Sequence, residues 1–524
     1  MEFNLSFSTL AAIFFVTIIL VLHILNRKRV NREPPKAKGA WPIIGHLHFL
    51  GGSRLPHRVL SDMADRYGPI FTMKLGVHKV LVVSNGEIAK ECYTTNDKIF
   101  ASRPKSTAAE IMGYNYALVG LSSYGDYWRN MRKMLTLEVF SQRRVQMLEH
   151  VRVSELKASM KDIYETWLKN KESDGSNMVK VDLSEWLGNL MLNVVLRILS
   201  RKRFPLDHKE SIRSQKAVRN FFELLGTFVV SDFIPFLNAF DLGGYKKKMK
   251  MAGKDMDDIL EGWLKEHKRE KELGKQHEGN QVFIDVMITR LKDASEDVFP
   301  GYDHDTVIKA SCLAILIAAS DTMAVTLTWA LSSLLNNPKT MQMAQDEIDE
   351  HVGRKRLVEQ SDMKKLVYLQ AIVKETLRLH PPGPLSVPRV STEDCVVSGY
   401  NIPKGTRLFV NLWKLQRDPN VWLDPHEFKP ERFLATHKDI DMKGNNFELI
   451  PFSSGRRMCP GVYFTLEFLP LTLASVLQQF MITKASDELI DMAEGVGLTT
   501  TKATPLEVLM APRLPLSMYS SFTP

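Results

Sequence analysis

The densest group of reactive residue types lies near the C-terminus, in Pro451-Phe452-Ser453-Ser454-Gly455-Arg456-Arg457-Met458-Cys459-Pro460-Gly461. A single cysteine stands there behind a turn-forming glycine and two arginines, with Pro-Gly after it. Tetrahedral zinc needs four ligands, and no CxxC or HxxxH spacing lies nearby, so one cysteine cannot build that centre. A lone thiolate can serve as the single axial ligand of haem iron, its charge softened by N–H groups of the glycine turn. The plainer alternative is a surface turn around a buried structural cysteine. A second candidate is Ser320-Asp321-Thr322, the polar interruption of a long apolar run. Buried polar groups need partners. Either the hydroxyls bond back to helix carbonyls, or an acid–alcohol pair moves protons to a reacting group. A third is Glu375 and Arg378, spaced i and i+3 on a segment closed by Pro381, where an ion pair on one helix face follows.

These residues need elements to hold them. The pattern predicts a helix from about 305 to 337, stopped at Asn336-Asn337-Pro338. Its centre, Cys312 to Ala319, is apolar on every face and so belongs inside a large core. Asp321 in mid-run argues against a membrane span there. At the N-terminus, Leu5 to Leu25 is almost unbroken apolar and long enough to cross a bilayer as a helix. Arg27, Lys28, Arg29 and Arg32 follow it, which puts the rest of the chain on the cytosolic side. A cleaved signal peptide would want basic residues before the run and small ones after it. Pro34-Pro35 and Pro42 then forbid helix and predict a stiff extended hinge.

The chain has 524 residues, 44% of them hydrophobic, with no linker, repeat or low-complexity tract inside. One large catalytic unit behind an anchor is the expected organisation, with boundaries at 1–26, 27–50 and 51–524. Cys92, Cys312, Cys395 and Cys459 are too scattered for a disulfide framework, which fits a reducing compartment. The net charge of +9 admits a membrane surface or an acidic protein partner. No nucleic-acid-binding signature accompanies it, so nucleic acid is not an expected partner.

The run from Phe452 to Gly461 resembles the cysteine loop of the cytochrome P-450 superfamily. The resemblance implies that Cys459 is the axial ligand of haem b, with Phe452 and Gly455 shaping the loop around it. Ala318-Ala319-Ser320-Asp321-Thr322 resembles the family's oxygen-groove motif, implying catalytic roles for Asp321 and Thr322 in proton delivery. Two positions depart from it: Ala319 where glycine is usual, and Met323 where Thr or Ser is usual. The added methyl at Ala319 should narrow the groove and bear on regioselectivity or reaction type. Lys374 to Pro382 and Phe428 to Phe433 are similar to the ExxR helix and PERF loop, implying that Glu375, Arg378 and Arg432 interlock and brace the cysteine loop. Trp128 and Arg132 match the family's WxxxR helix. With Arg389 and Arg457 they are implied donors to the haem propionates.

Four motifs in the right order make the chain similar to plant microsomal A-type enzymes, and to the family numbered eighty-two, which includes flavonoid, terpenoid and alkaloid oxidases. The fold implied is mainly α with small β-sheets, behind an N-terminal transmembrane helix. The function implied is hydroxylation of a lipophilic plant metabolite, with electrons from NADPH through a separate reductase that docks on the basic cysteine side. The location implied is the endoplasmic reticulum membrane, single-pass, with the catalytic domain in the cytosol. The alternatives are ring closure, demethylation or C–C cleavage, an O2-independent isomerase or dehydratase, and a non-enzymatic haem carrier or sensor. Substrate-recognition segments map by analogy to 106–124, 221–240, 314–319, 385–387 and 497–500.

Overall fold

A computed structural model describes residues 14–18, 32–52, 54–171, 177–204, 209–275, 281–292, 295 and 298–520. The expected membrane anchor lies outside these residues, apart from Phe14–Ile18, which are helical and exposed. Helices make up most of the described chain. Those that position the site are α1 (Pro56–Tyr67), α2 (Gly86–Tyr93), α3 (Asp126–Leu135), α4 (Leu183–Ser200), α5 (Lys209–Leu225), α6 (Tyr245–Glu272), α7 (His304–Asn336), α8 (Val367–Leu379) and α9 (Val462–Gln479).

Three small sheets flank the helices. β1 (Ile70–Leu75) and β2 (His78–Val83) form an antiparallel hairpin. β3 (Val179–Asp182) lies elsewhere, with the late strands β8 (Phe480–Lys484) and β9 (Glu507–Pro512), in the antiparallel order β3-β9-β8. β4 (Arg389–Val390) and β7 (Arg407–Val410) complete the first sheet in the order β1-β2-β7-β4, with β2 and β7 parallel. β5 (Cys395–Val397) and β6 (Tyr400–Ile402) pair as a separate hairpin.

α7 is the axis of the main core. Asp303 caps its start by accepting the Thr306 N–H, and Pro338 opens the next helix directly after its end. It packs most extensively on α4 and also touches α6, α8 and α9. Among the described residues it is the one helix long and apolar enough to cross a membrane, yet most of it is buried inside the protein. The core-helix reading of this segment therefore holds.

The proline-rich segment is extended and sewn to the first sheet: Thr72 N–H donates to the Pro35 carbonyl and Ala37 N–H to that of Thr72, each at 2.8 Å. None of the cysteines is disulfide-bonded; Cys92 and Cys312 are buried, and burial pushes their thiols up.

Candidate active site

The cysteine loop owes its shape to left-handed residues. Ser453 (φ 61°) and Gly455 (φ 68°) turn the chain ahead of Cys459. A Cβ at Gly455 would stand 2.4 Å from Asp97 Oδ1 and 2.5 Å from the Tyr93 carbonyl, so only glycine fits. The Cys459 N–H donates to the Phe452 carbonyl at 2.9 Å and closes the loop. Arg456 and Arg389 hold its outer side. The first donates to Asp97 Oδ2 at 2.7 Å, the second to Ser453 Oγ at 3.0 Å and the Ser454 carbonyl at 2.9 Å. Cys459 stands three residues before α9, near a helix N-terminus that favours negative charge. Burial pushes its thiol up, while the Gly461 N–H and the Arg132 guanidinium pull it down.

Cations gather around this loop. Arg389 is almost fully buried, lies 3.8 Å over the Tyr93 ring and has an Nη1 with no hydrogen-bond partner. Arg457 stacks 4.4 Å over Trp128 and donates to the carbonyls of Ala101 (2.6 Å), Val119 (3.3 Å) and Ser122 (2.6 Å). Burial, then the neighbouring Arg389 and Arg132, push its pKa down to about 9. Arg103 joins them, donating to the carbonyls of Gly120, Val387 and Pro388. It too is held well below its ordinary value by burial and by the charges of Arg457 and Arg389. Arg132, near enough to Cys459 to act on its charge, finds no hydrogen bond or ion pair among the described residues.

The middle of α7 opens on one side. Ala318 is exposed and Ala314 and Thr322 are half-buried, although the flanking turns are buried. Spaced by four residues, they form one stripe of small side chains along an otherwise core helix. Thr322 Oγ1 donates back to the Ala318 carbonyl at 2.8 Å and Ser320 Oγ to that of Leu316 at 2.6 Å, so these hydroxyls are satisfied without breaking the helix. Asp321 instead accepts a 2.5 Å hydrogen bond from Thr499 Oγ1. Burial pushes its carboxyl up and that bond partly offsets the push.

The structure also brings Glu375, Arg378 and Arg432 together. Arg378 forks onto Glu375 at 2.7 and 2.8 Å, and Arg432 Nε reaches Glu375 Oε1 at 3.1 Å. The Lys429 N–H donates to the same oxygen at 2.9 Å.

Some expected residues stand elsewhere. Met323 is 2% exposed and faces the core, so it does not line the open stripe, whereas Ala319 borders it. Of the aromatic residues in the 221–240 segment, Phe221 is core and Phe236 is largely exposed. Arg103 and Asp97 escaped the sequence reading. The Arg103-Pro104 dipeptide, an arginine fixed before a proline, was the available signal for the first.

A haem fits this arrangement on the chemistry of its donors. Several buried or half-buried guanidiniums repel one another beside a half-buried cysteine; the Arg389 Nη1 has no hydrogen bond, only a 3.6 Å ion pair with Asp97, and the Arg132 guanidinium has neither among the described residues. The carboxylate facing them, Asp97, is already engaged by Arg456. Anionic haem propionates would supply the missing charge.

The family model for cytochrome P-450 matches residues 34–508. The chain is 50% identical over 515 residues to demethylepipodophyllotoxin synthase of Sinopodophyllum hexandrum, covering 97% of each chain. It is 49% identical to flavonoid-6-hydroxylase of Mentha piperita, covering 99% of this chain and 100% of that one. With xanthotoxin 5-hydroxylase CYP82C4 of Arabidopsis thaliana it shares 48% identity over 95% of this chain and 97% of the other. A zebra fish cytochrome P-450 solved with progesterone shares the fold, with a TM-score of 0.71 and 24% identity over 88% of this chain and 100% of that one.

The chain belongs to the cytochrome P-450 family and is similar to plant members of the family numbered eighty-two. It is a monooxygenase of that family, with haem on a cysteine thiolate, electrons from a reductase and a small-molecule substrate.

Proposed function

We propose that the protein hydroxylates a neutral, lipophilic plant specialised metabolite of the flavonoid, terpenoid or alkaloid kind, with Cys459 as the thiolate ligand. Haem, when bound, supplies dioxygen activation, with the balance R–H + O2 + NADPH + H⁺ giving R–OH, H2O and NADP⁺. Arg132 and Arg389 would donate to the haem propionates, and Trp128 would add an indole N–H. Arg457 spends three donors on carbonyls and keeps Trp128 in place. Phe452 and Gly455 fix the loop, and the Gly461 N–H holds negative charge on the sulfur. On α7, Ala314 and Ala318 leave room for a flat substrate. Thr322 keeps lone pairs free to receive a water proton while its own proton bonds Ala318. Asp321 is the nearby acid. Glu375, Arg378 and Arg432 brace the loop from behind.

The observation that carries this reading is the cluster of mutually repelling guanidiniums beside Cys459, with that of Arg132 unpaired among the described residues, an arrangement that favours an anionic ligand. Electrons come from NADPH through a separate reductase docking on the basic cysteine side. Residues 1–26 anchor the chain in the endoplasmic reticulum membrane, 27–50 form the hinge and 51–524 the cytosolic catalytic domain. Support for membrane contact comes from Trp41, Ile43, Val77, Phe236 and Phe240, each at least 58% exposed. The Val77 N–H donates to the Phe233 carbonyl, bringing the β1–β2 turn beside the aromatic segment.

Expression in yeast microsomes with a plant reductase and pooled flavonoids, terpenoids and alkaloids tests the assignment. An NADPH-dependent product one oxygen heavier, absent with Cys459→Ala, is expected. Unchanged pools with a folded, thiolate-ligated haem protein would sink simple hydroxylation of these classes. Ring closure, demethylation or C–C cleavage is the second reading, favoured because one relative is a synthase by name rather than a hydroxylase. Turnover without NADPH would point instead to an isomerase or dehydratase.

A further inference from the structure

Asp321 lies in the polar turn Ser320-Asp321-Thr322 in the middle of α7, and among the described residues the only hydrogen bond to its carboxyl comes from Thr499, 178 residues away, at 2.5 Å. Thr499 is 6% exposed and its loop is firmly tied. The Thr500 N–H and Oγ1 donate to the carbonyls of Pro382 (3.0 Å) and Pro381 (2.6 Å). Trp329 of α7 donates its indole N–H to the Thr500 carbonyl at 2.6 Å. Further back, Glu494 accepts from His57 and Arg58, each at 2.9 Å. Such a loop presents the Thr499 hydroxyl at a fixed point, and a buried hydroxyl so placed donates to the one acceptor it meets.

We infer that Thr499 is a positioning residue for oxygen activation: it holds Asp321 Oδ2, fixes the carboxyl rotamer, and leaves Oδ1, which has no hydrogen-bond partner among the described residues, to relay solvent protons. This rests on the proton-delivery reading of Asp321. Among the described residues, no charged side chain competes for the carboxyl from the packed elements. Lys502 turns to the Asp491 carbonyl and the Trp329 ring, and His380 stacks flat on Trp329 at 4.3 Å. In the productive cycle two protons and two electrons leave one oxygen atom as water. If the second proton is misdirected, O2 + NADPH + H⁺ gives H2O2 + NADP⁺, so misplacement of the acid appears as peroxide.

The test compares the full chain with Thr499→Val, Thr499→Ser and Asp321→Asn, the last marking the infrared carbonyl band of protonated Asp321 by its loss. The valine variant keeps the volume and removes the donor; serine keeps the donor. Thr499→Val is expected to move the titration of that band to higher pH, because a bond to the charged form is gone, while Thr499→Ser stays near the parent. With reductase and substrate, Thr499→Val should raise peroxide per product roughly tenfold, the weight of one hydrogen bond. Thr499→Ser should restore the parent ratio. A Thr499→Val protein that melts lower but keeps both band and ratio would overturn the inference and reduce Thr499 to a loop anchor. If Asp321→Asn partitions like the parent, proton delivery by Asp321 itself falls. An unmoved band with a defective Asp321→Asn removes only the role of Thr499.

Discussion

Glu375 and Arg378, one helical turn apart, meet through two N–H···O bonds of 2.7 and 2.8 Å with neither side chain reaching solvent. The remaining donors of Arg378 go to the carbonyls of Gln416, Pro425 and Glu427, and Arg432 closes the cluster on Glu375. Ions removed from water this completely hold only while every partner is present. Glu375→Gln is expected to cost about 3–5 kcal/mol of stability, because it strands two buried guanidiniums. Arg378→Lys should fare little better, since an ammonium cannot make the fork. Denaturant unfolding of the solubilised proteins measures both, and a loss confined to turnover would contradict the bracing role.

Gly455→Ala forces a methyl against Asp97 and the Tyr93 carbonyl at a left-handed φ. A cost of roughly 1–3 kcal/mol follows from strain alone, with more from the clash. Because Asp97 also holds Arg456, the variant should lose haem on dilution faster than the parent, a rate read from the Soret band. Equal retention would show that the cysteine loop tolerates another path.

Ala319→Gly and Met323→Thr separate groove from core. Ala319 borders the open stripe, so glycine there should shift the product pattern while lowering helix stability by about 1 kcal/mol. Met323 is buried away from the stripe, so threonine should lower the melting temperature and leave product ratios as they were. Product analysis beside thermal melts decides. A changed pattern from Met323→Thr would place that side chain at the substrate.

Acid sensitivity follows from Glu494. Burial opposes its charge, but hydrogen bonds from His57 and Arg58 outweigh that and bring it down to about 2. The folded value lies below the 4.5 of an ordinary glutamate, so the stabilisation is complete above pH 4.5 and is lost as pH falls toward 2. It amounts to something on the order of 3 kcal/mol. Glu494→Gln should therefore destabilise the protein at pH 7, and the gap from the parent should narrow between pH 4.5 and 2. A gap independent of pH would mean that packing, not charge, is lost.

Much of the site is written locally in the chain. Phe452 to Gly461 carries its glycine turn and cysteine within ten residues, and the pairing of Glu375 with Arg378 follows from helical spacing. What the sequence hides is what tertiary folding brings from afar. Thr499 and Asp321 share no periodicity, and neither do Asp97 and Arg389, 3.6 Å apart across the cysteine loop. Met323 misleads for a geometric reason: four residues turn a helix by about 400°, so each i+4 step from Ala319 rotates about 40° further from the stripe. The apolar content of 221–240 could not tell Phe221, which packs in the core, from Phe236, which does not.

Isotopic labelling reaches the central claim most directly. With reductase, NADPH and the substrate that the microsomal assay identifies, turnover under ¹⁸O2 in ordinary water should give a product carrying one labelled oxygen, and none from Cys459→Ala. An unlabelled product, or label that enters only from H2¹⁸O, would contradict a Cys459-thiolate monooxygenase.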